Sequence, residues 1–310
     1  MKKQLNFLLI CITCCFGLNA QDPADTAFEK TVFWRITGNG LTDTSYLYGT
    51  AHPIFREDIH LSPNMLQALL RSPVIYFENI PSSNDDSLYR SLNIMKKPNL
   101  RRLLGNICYT KLITLLKKLD DPVLDDPMFE WMTPQYLSSK LMVNVFGKRL
   151  TSVDAILMAI ALGNDQEIIA LDRPGLRKEM VERFSFDQQA TNLFYLVDNF
   201  EKKIESFTGY TKAMTEKYNS GDISFLYTRI NYVRVNDRMY GSYTFRIPGT
   251  EDILDKRNKE WLPKIEMACR KQPTFFAFGA AHLGGKKGMI TLLRKKGYVV
   301  SPVFGDSLIE

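Results

Sequence analysis

Apolar residues fall into short strand-like runs toward both ends of the chain and recur at helical spacing through its middle. Val32-Phe33-Trp34-Arg35-Ile36 and Thr44-Ser45-Tyr46-Leu47-Tyr48 read as strands, and Gly38-Asn39-Gly40 between them is a turn signal, so the pair predicts a hairpin. Ser62 ahead of Pro63 predicts a capped helix running to Arg71. Val74-Ile75-Tyr76-Phe77 is a short apolar strand that ends at Glu78. Thr274-Phe275-Phe276-Ala277-Phe278 is another, followed by a helix near Lys287 to Lys296 with Met289, Ile290, Leu292 and Leu293 as its apolar face. Gly297 stops that helix, and Tyr298-Val299-Val300 begins a last strand.

The two ends share one plan. Tyr48 runs directly into Gly49-Thr50-Ala51-His52, and Phe278 runs directly into Gly279-Ala280-Ala281-His282. Each Gly-x-x-His is followed by loop, helix and strand, for which parallel strands with a crossover helix are the natural solution. The pattern predicts an α/β fold: a central mixed or parallel sheet built from two pseudo-equivalent strand–Gly-x-x-His–helix–strand units. A large helical insertion occupies about residues 84–250. Within it, Tyr109 to Leu119, Pro134 to Phe146 and Ser152 to Leu162 have helical spacing, and Glu167-Ile168-Ile169-Ala170-Leu171 is a strand ending at Asp172. Residues 175–245 read as helices over one sheet face, and Glu251 to Arg270 reads as a long helix.

The N-terminus changes the picture of where the chain works. Lys2-Lys3, an uncharged apolar run from Leu5 to Leu18, and Leu18-Asn19-Ala20 make the pattern of an export signal cleaved after Ala20. Residues 21–310 then form one domain with no transmembrane anchor, in the periplasm, at the cell surface or secreted. The retained-anchor alternative needs a longer apolar run, and Cys11-Ile12-Thr13-Cys14-Cys15 fits a lipoprotein signal poorly. Cys108 and Cys269 remain, either paired or as separate buried thiols. The net charge of +6 is modest and interleaved along the chain, with no basic arm, so nucleic acid is not expected as a partner.

The chain has 3 histidines, and two of them stand in the paired motifs. Ligands of open α/β sheets bind beyond the carboxyl ends of the strands. Parallel strands would bring His52, His282, Glu78 and Asp172 to that one edge. Gly49 and Gly279 would let the chain turn and let backbone approach a bound group. Two imidazoles and a carboxylate suit a three-ligand metal site with an open position for water. They equally suit a general base with an acid or orienting partner. Other roles compete at each position. His60 reads as a surface residue, Glu78 could be a solvated strand end, Asp172 reads first as a helix cap beside Pro174, and Arg257 and Asn258 alone read as a solvated helix face.

The chain resembles the TraB/PrgY/GumN family and, through it, the Tiki metalloproteases. The resemblance is carried by Tyr46-Leu47-Tyr48-Gly49-Thr50-Ala51-His52-Pro53, Val74-Ile75-Tyr76-Phe77-Glu78, Asp255-Lys256-Arg257-Asn258-Lys259-Glu260-Trp261 and Phe278-Gly279-Ala280-Ala281-His282-Leu283-Gly284-Gly285-Lys286-Lys287-Gly288. It runs from about residue 32 to 303, loosely in the middle at Val153-Asp154 and Ile169-Ala170-Leu171-Asp172. The family more often shows Glu at the position of Asp172, and often a second acidic residue where Ile80 stands. The resemblance implies a site made of His52, His282 and Glu78, with Gly49, Gly279, Arg257, Asn258 and Asp172 around it. It also implies a divalent metal, manganese or cobalt ahead of zinc. The function expected is an exported metal-dependent hydrolase of peptide bonds. The alternatives are a non-catalytic protein sequestering a peptide or small molecule, and a metal-free esterase-like hydrolase.

Overall fold

The computed structural model describes residues 28–80, 93–97, 99–182, 184–233 and 254–304. The expected export signal lies outside them. Eight strands are formed: β1 (Phe33–Thr37), β2 (Ser45–Thr50), β3 (Ile54–Phe55), β4 (Val74–Phe77), β5 (Leu150–Thr151), β6 (Glu167–Ala170), β7 (Thr274–Gly279) and β8 (Val299–Pro302). Six of them make one sheet in the order β6-β4-β7-β2-β1-β8, and β3 pairs with β5 separately. β1 and β2 form the expected hairpin, with Phe33 opposite Tyr48. β2 and β4 both run parallel to β7, and β6 runs parallel to β4.

The two Gly-x-x-His units therefore interleave within one sheet. β7, from the second unit, lies between β2 and β4 of the first. This places β7 at the centre, buried on both faces, which is why its sequence Thr-Phe-Phe-Ala-Phe-Gly is a continuous apolar run with no polar alternation. Side chains still alternate by face. Phe275 and Ala277 join the core that contains Met65, Leu69, Leu157 and Tyr218. Phe276 and Phe278 join the core on the other face, with Trp261, Ile265, Ile290 and Leu293.

Ten α-helices are assigned among the described residues: α1 (Pro63–Arg71), α2 (Leu100–Lys118), α3 (Pro134–Phe146), α4 (Val153–Gly163), α5 (Leu176–Glu182), α6 (Phe186–Asp198), α7 (Phe200–Asn219), α8 (Ile223–Val233), α9 (Lys256–Lys271) and α10 (Met289–Lys295). Ser62 caps α1 through the N–H of Met65 with Pro63 at the first position, and Ser152 caps α4 through Ala155. Helices α2, α3 and α6 enclose a third apolar core, around Leu112, Leu116, Leu137, Leu141 and Leu193. Cys108 belongs to this core and Cys269 to the one around Trp261; both are free, buried thiols. Burial pushes each up to about 11, so neither is a ready nucleophile. No helix among the described residues is long and apolar enough to cross a membrane.

Candidate functional site

Four parallel strands, β6, β4, β7 and β2, end at one edge. The chain beyond them carries Asp172, Glu78, His282 and His52. The ladder between β4 and β6 continues one step past the strands. Leu171 N–H donates to Phe77 O at 2.8 Å and Asp172 N–H to Glu78 O at 2.9 Å, which sets the two carboxylates side by side. Past Gly279, a short 3-10 turn over Ala280–His282 folds the imidazole into the interior, where it is 3% exposed.

The two motif glycines do different work from a simple turn. A Cβ on Gly49 would lie 2.8 Å from the Cα of Ala280, so this glycine lets the two motifs pack directly on each other. A Cβ on Gly279 would stand in the site itself, 3.1 Å from Glu78 Oε1 and 3.8 Å from a ring carbon of both His52 and His282. Those two ring carbons are therefore separated by less than twice that distance. The bare Gly279 N–H donates to Glu78 Oε1 at 2.6 Å.

Arg257 organises the cluster. Its Nε and Nη2 donate to the two oxygens of Asp172 at 3.0 and 2.9 Å, and Nη2 also donates to Glu78 Oε2 at 2.5 Å. Its Nη1 lies 3.2 Å from His282 Nε2. A planar guanidinium suits this because its donors diverge at fixed angles toward several acceptors. Burial opposes a charge on Glu78, yet Arg257, the nearby imidazoles and the Gly279 N–H outweigh it and hold the carboxyl at about 2. Burial raises Asp172 despite the same arginine. Asp172 does not cap a helix as first expected. Its carboxylate accepts from Arg257 and, at 3.0 Å, from Trp261 Nε1, and so fixes the arginine. Trp261 also stacks near His282, with ring centroids 4.4 Å apart.

Arg257 and Asn258 are likewise not a solvated face. They are 7% and 0% exposed. The buried positions of α9 include Arg257, Asn258, Trp261, Ile265, Ala268 and Cys269, one stripe at helical spacing. Extending the apolar stripe back one turn from Trp261 was the signal that places both residues inside. Pairing explains why the cost of burying them is tolerated.

Asn258 settles the state of His282. Its Nδ2 donates to the carbonyls of His282 and Lys287 at 3.2 and 2.9 Å, so its Oδ1 must face the imidazole. His282 Nδ1 is 2.7 Å from that oxygen and so carries the proton. Nε2 then holds a lone pair, which accepts from Arg257. Burial drives the His282 pKa down to about 3, so the ring is neutral.

His52 is anchored in the same way by a residue that sequence reasoning left unassigned. Its Nδ1 is 3.3 Å from Asp154 Oδ2, and Thr50 Oγ1 donates to the other carboxylate oxygen at 2.8 Å. Asp154 sits in the first turn of α4, and Val153 N–H donates to Ala51 O at 3.0 Å, docking that turn against the first motif. In sequence, an acid just after a Ser cap reads as helix-dipole compensation, which hides this role. The Asp154 hydrogen bond lifts His52 to about 9, although 55% of the side chain is exposed. His60 is exposed, as expected.

A cavity of about 250 Å³ opens beside His52, Glu78, Arg257 and His282, with Met214 and Tyr218 of α7, Leu226 of α8 and Leu254 in its wall. Tyr218 OH donates to Gly49 O at 3.0 Å and ties α7 to the first motif.

This architecture agrees with the TraB/PrgY/gumN family model, which matches residues 32–302, from β1 through β8. The chain belongs to the TraB/PrgY/gumN family. It is also similar to "Metalloprotease TIKI1" of Danio rerio, 24% identical over a 362-position alignment that covers 95% of this chain and 69% of that protein. No solved structure matches the chain.

The donor chemistry of this family member's site suits a divalent cation. Histidine ligands commonly bind through one nitrogen while the other donates to an oxygen acceptor, as both Nδ1 atoms do here. Glu78 and Asp172 share one guanidinium while Asp154 holds His52, so once the His52 proton is displaced three carboxylates against one arginine leave negative charge in excess. As the side chains stand, Arg257 fills the space between Glu78 and His282, and no group of three or more His, Cys, Asp or Glu among the described residues is set to hold a metal ion. Glu78 and His282 would have to exchange arginine contacts for the cation.

Proposed function

We propose that this chain is an exported metal-dependent hydrolase of peptide bonds. The observation that carries the reading is the matched anchoring of the two imidazoles. Each is fixed through Nδ1, on Asp154 and on Asn258, which turns both Nε2 atoms away from those anchors; His282 Nε2 lies 3.7 Å from Glu78 Oε1 and takes a contact from Arg257 that a cation would replace. The likeness to a protein named a metalloprotease supports it, and the signal-like residues 1–20 support export.

In this reading His52, His282 and Glu78 hold a divalent cation, manganese or cobalt ahead of zinc. A bound cation of this kind polarises a carbonyl and makes water a nucleophile near neutral pH. Arg257, once it yields His282 and Glu78, keeps its hold on Asp172 and can donate to negative charge developing on the substrate oxygen. Asp172 and Trp261 keep the guanidinium aimed. The cavity beside them takes the peptide.

The seating of Arg257 on His282 Nε2 and Glu78 favours a second reading, a metal-free hydrolase in which the His–Glu–Arg cluster works directly. One assay separates the two. Residues 21–310, stripped with chelator, are given a panel of quenched fluorescent peptides with and without Mn²⁺ or Co²⁺, beside the His52→Ala, His282→Ala double variant. Cleavage lost in chelator, restored by metal and absent from the double variant is the expected result. Undiminished cleavage in chelator overturns the metal-dependent reading for the metal-free one. Peptide binding without turnover, unchanged in the double variant, marks a binding protein.

A further inference from the structure

The burial of α7 shows which of its faces meets the sheet. Lys212, Ala213, Glu216 and Lys217 are exposed, while Thr211, Thr215 and Tyr218 are buried. Five residues of the helix line the cavity: Tyr210, Thr211, Met214, Thr215 and Tyr218. Of these, Tyr210 and Met214 keep accessible surface. The Arg229 guanidinium covers the Tyr210 ring, 5.6 Å from its centroid. Met214 stands between Tyr210 and Tyr218 on one helical row and packs, partly buried, on the core of that sheet face. Tyr218, Leu226, Leu254, Ala280 and Ala281 belong to the same core and also line the cavity. The cavity is thus an opening in the apolar core, and Met214 is the long apolar side chain of its wall that retains surface.

The polar groups around the opening are engaged with each other. Glu78 pairs with Arg257, and His52 with Asp154. The Thr50 hydroxyl donates to Asp154, and the Tyr218 hydroxyl to Gly49 O. A charged side chain entering here would shed its water beside groups that already have partners, which is costly. An apolar one gains by leaving water. Methionine suits such a wall because its unbranched side chain adapts to the shape of what lies against it. At about 250 Å³ the cavity is smaller than the roughly 300–1,000 Å³ of pockets that take whole small molecules, and it suits a single side chain. His52, Glu78 and His282 bound the same cavity, so its occupant lies next to the bond on which they would act.

We infer that the cavity receives one apolar side chain of a peptide substrate, from the residue flanking the bond to be cleaved, and that Met214 selects it. Met214 is thus a specificity-determining residue. The inference deepens the peptide-hydrolase reading of this site and rests on it.

The test uses residues 21–310 and three variants, Met214→Glu, Met214→Lys and Met214→Leu, with acetyl-Ala-Xaa-Ala-amide peptides in which Xaa is norleucine, glutamate or lysine. Affinities are measured by calorimetric titration in chelator, and cleavage by chromatography with Mn²⁺. The parent and Met214→Leu are expected to bind the norleucine peptide more tightly than either charged one, by roughly tenfold or more. Met214→Glu is expected to bind the lysine peptide more tightly than the glutamate one by roughly fivefold, and Met214→Lys to show the opposite order. Damage to the fold cannot produce opposite preferences in two variants of one residue. A parent that binds all three peptides equally or a charged one best, charge variants that keep the parent's ranking, or variants that lose all three peptides alike would each overturn the inference. Selection that follows residue 214 with no cleavage leaves the inference standing and removes the hydrolase reading. Cleavage with no such selection does the reverse.

Discussion

Asn258 Oδ1 accepts the Nδ1–H of His282 at 2.7 Å, and this bond decides which nitrogen of the buried imidazole stays free. The same amide donates to two carbonyls of the following loop. Asn258→Leu would leave one buried donor and two carbonyls without it. Each such group costs about 1–3 kcal/mol when nothing replaces the bond. We expect a loss of about 2–4 kcal/mol in urea unfolding, and a change in the ¹⁵N shifts of the His282 ring as its proton is released from Nδ1. Unchanged ring shifts would show that Asn258 does not set the tautomer.

Arg257 stands between two carboxylates, and removing it should produce a defect that depends on pH. In the parent, Glu78 is held at about 2, below the unfolded value, so its contribution is complete above the unfolded pKa and is lost as pH falls through the folded one. In Arg257→Met, burial acts on Glu78 and Asp172 without the guanidinium to oppose it, and the folded pKa of each rises from its value in the parent. Protonation then relieves the variant at low pH. Breaking a buried pair costs about 3–5 kcal/mol at pH 7, and the gap to the parent should narrow by pH 4 to 5. A gap of constant size would mean that lost packing, not charge, accounts for the defect.

The two motif histidines should titrate far apart in chelator-treated protein. His52 is raised to about 9 by Asp154, and His282 is lowered to about 3 by burial. Imidazole NMR at pH 7 to 7.5 should show His52 protonated and His282 neutral. Asp154→Asn should bring His52 down while leaving His282 in place. The stability consequences have opposite windows. His282 contributes fully above its unfolded pKa, and that contribution drains as pH falls toward 3. The His52 contribution is complete below its unfolded pKa and drains as pH rises toward 9, weakly because the ring is 55% exposed. A His282 resonance titrating near neutrality would contradict the buried neutral ring.

Where the sequence was legible, it was through strand ends. A run such as Val74-Ile75-Tyr76-Phe77 stopping at Glu78 states both the strand and the edge where the acid emerges, and parallel pairing does the rest. The interleaving of β7 between β2 and β4 was not legible, because apolar runs carry no partner identity. Arg257 and Asn258 were placed at the site by the resemblance, and the residue pattern alone misread them for a related reason. Charged and polar residues on a helix look solvated until the Trp261-Ile265-Cys269 stripe is carried through them. Asp154 escaped because a helix N-terminus already accounts for an acid there. Two of these polar groups pair across long stretches of chain, Asp172 with Arg257 over 85 residues and Thr50 with Asp154 over 104, and local pattern carries no trace of such partners.

The motif glycines offer a test in which fold and site separate. Gly49→Ala places a Cβ 2.8 Å from Ala280 Cα, and backbone cannot move aside without parting β2 from β7. Overpacking of this kind typically costs about 1–3 kcal/mol, so this variant should melt at a lower temperature. In Gly279→Ala the nearest atom is Glu78 Oε1 at 3.1 Å, the end of a side chain that can yield. That change should cost little stability, below about 1 kcal/mol. It nevertheless sets a methyl group against Glu78, His52 and His282 together, and should abolish whatever binding or turnover the parent shows. Calorimetric melting and peptide binding on the two variants check both halves. If Gly279→Ala retained full function, the space between the two imidazoles and Glu78 would not be where the chemistry occurs.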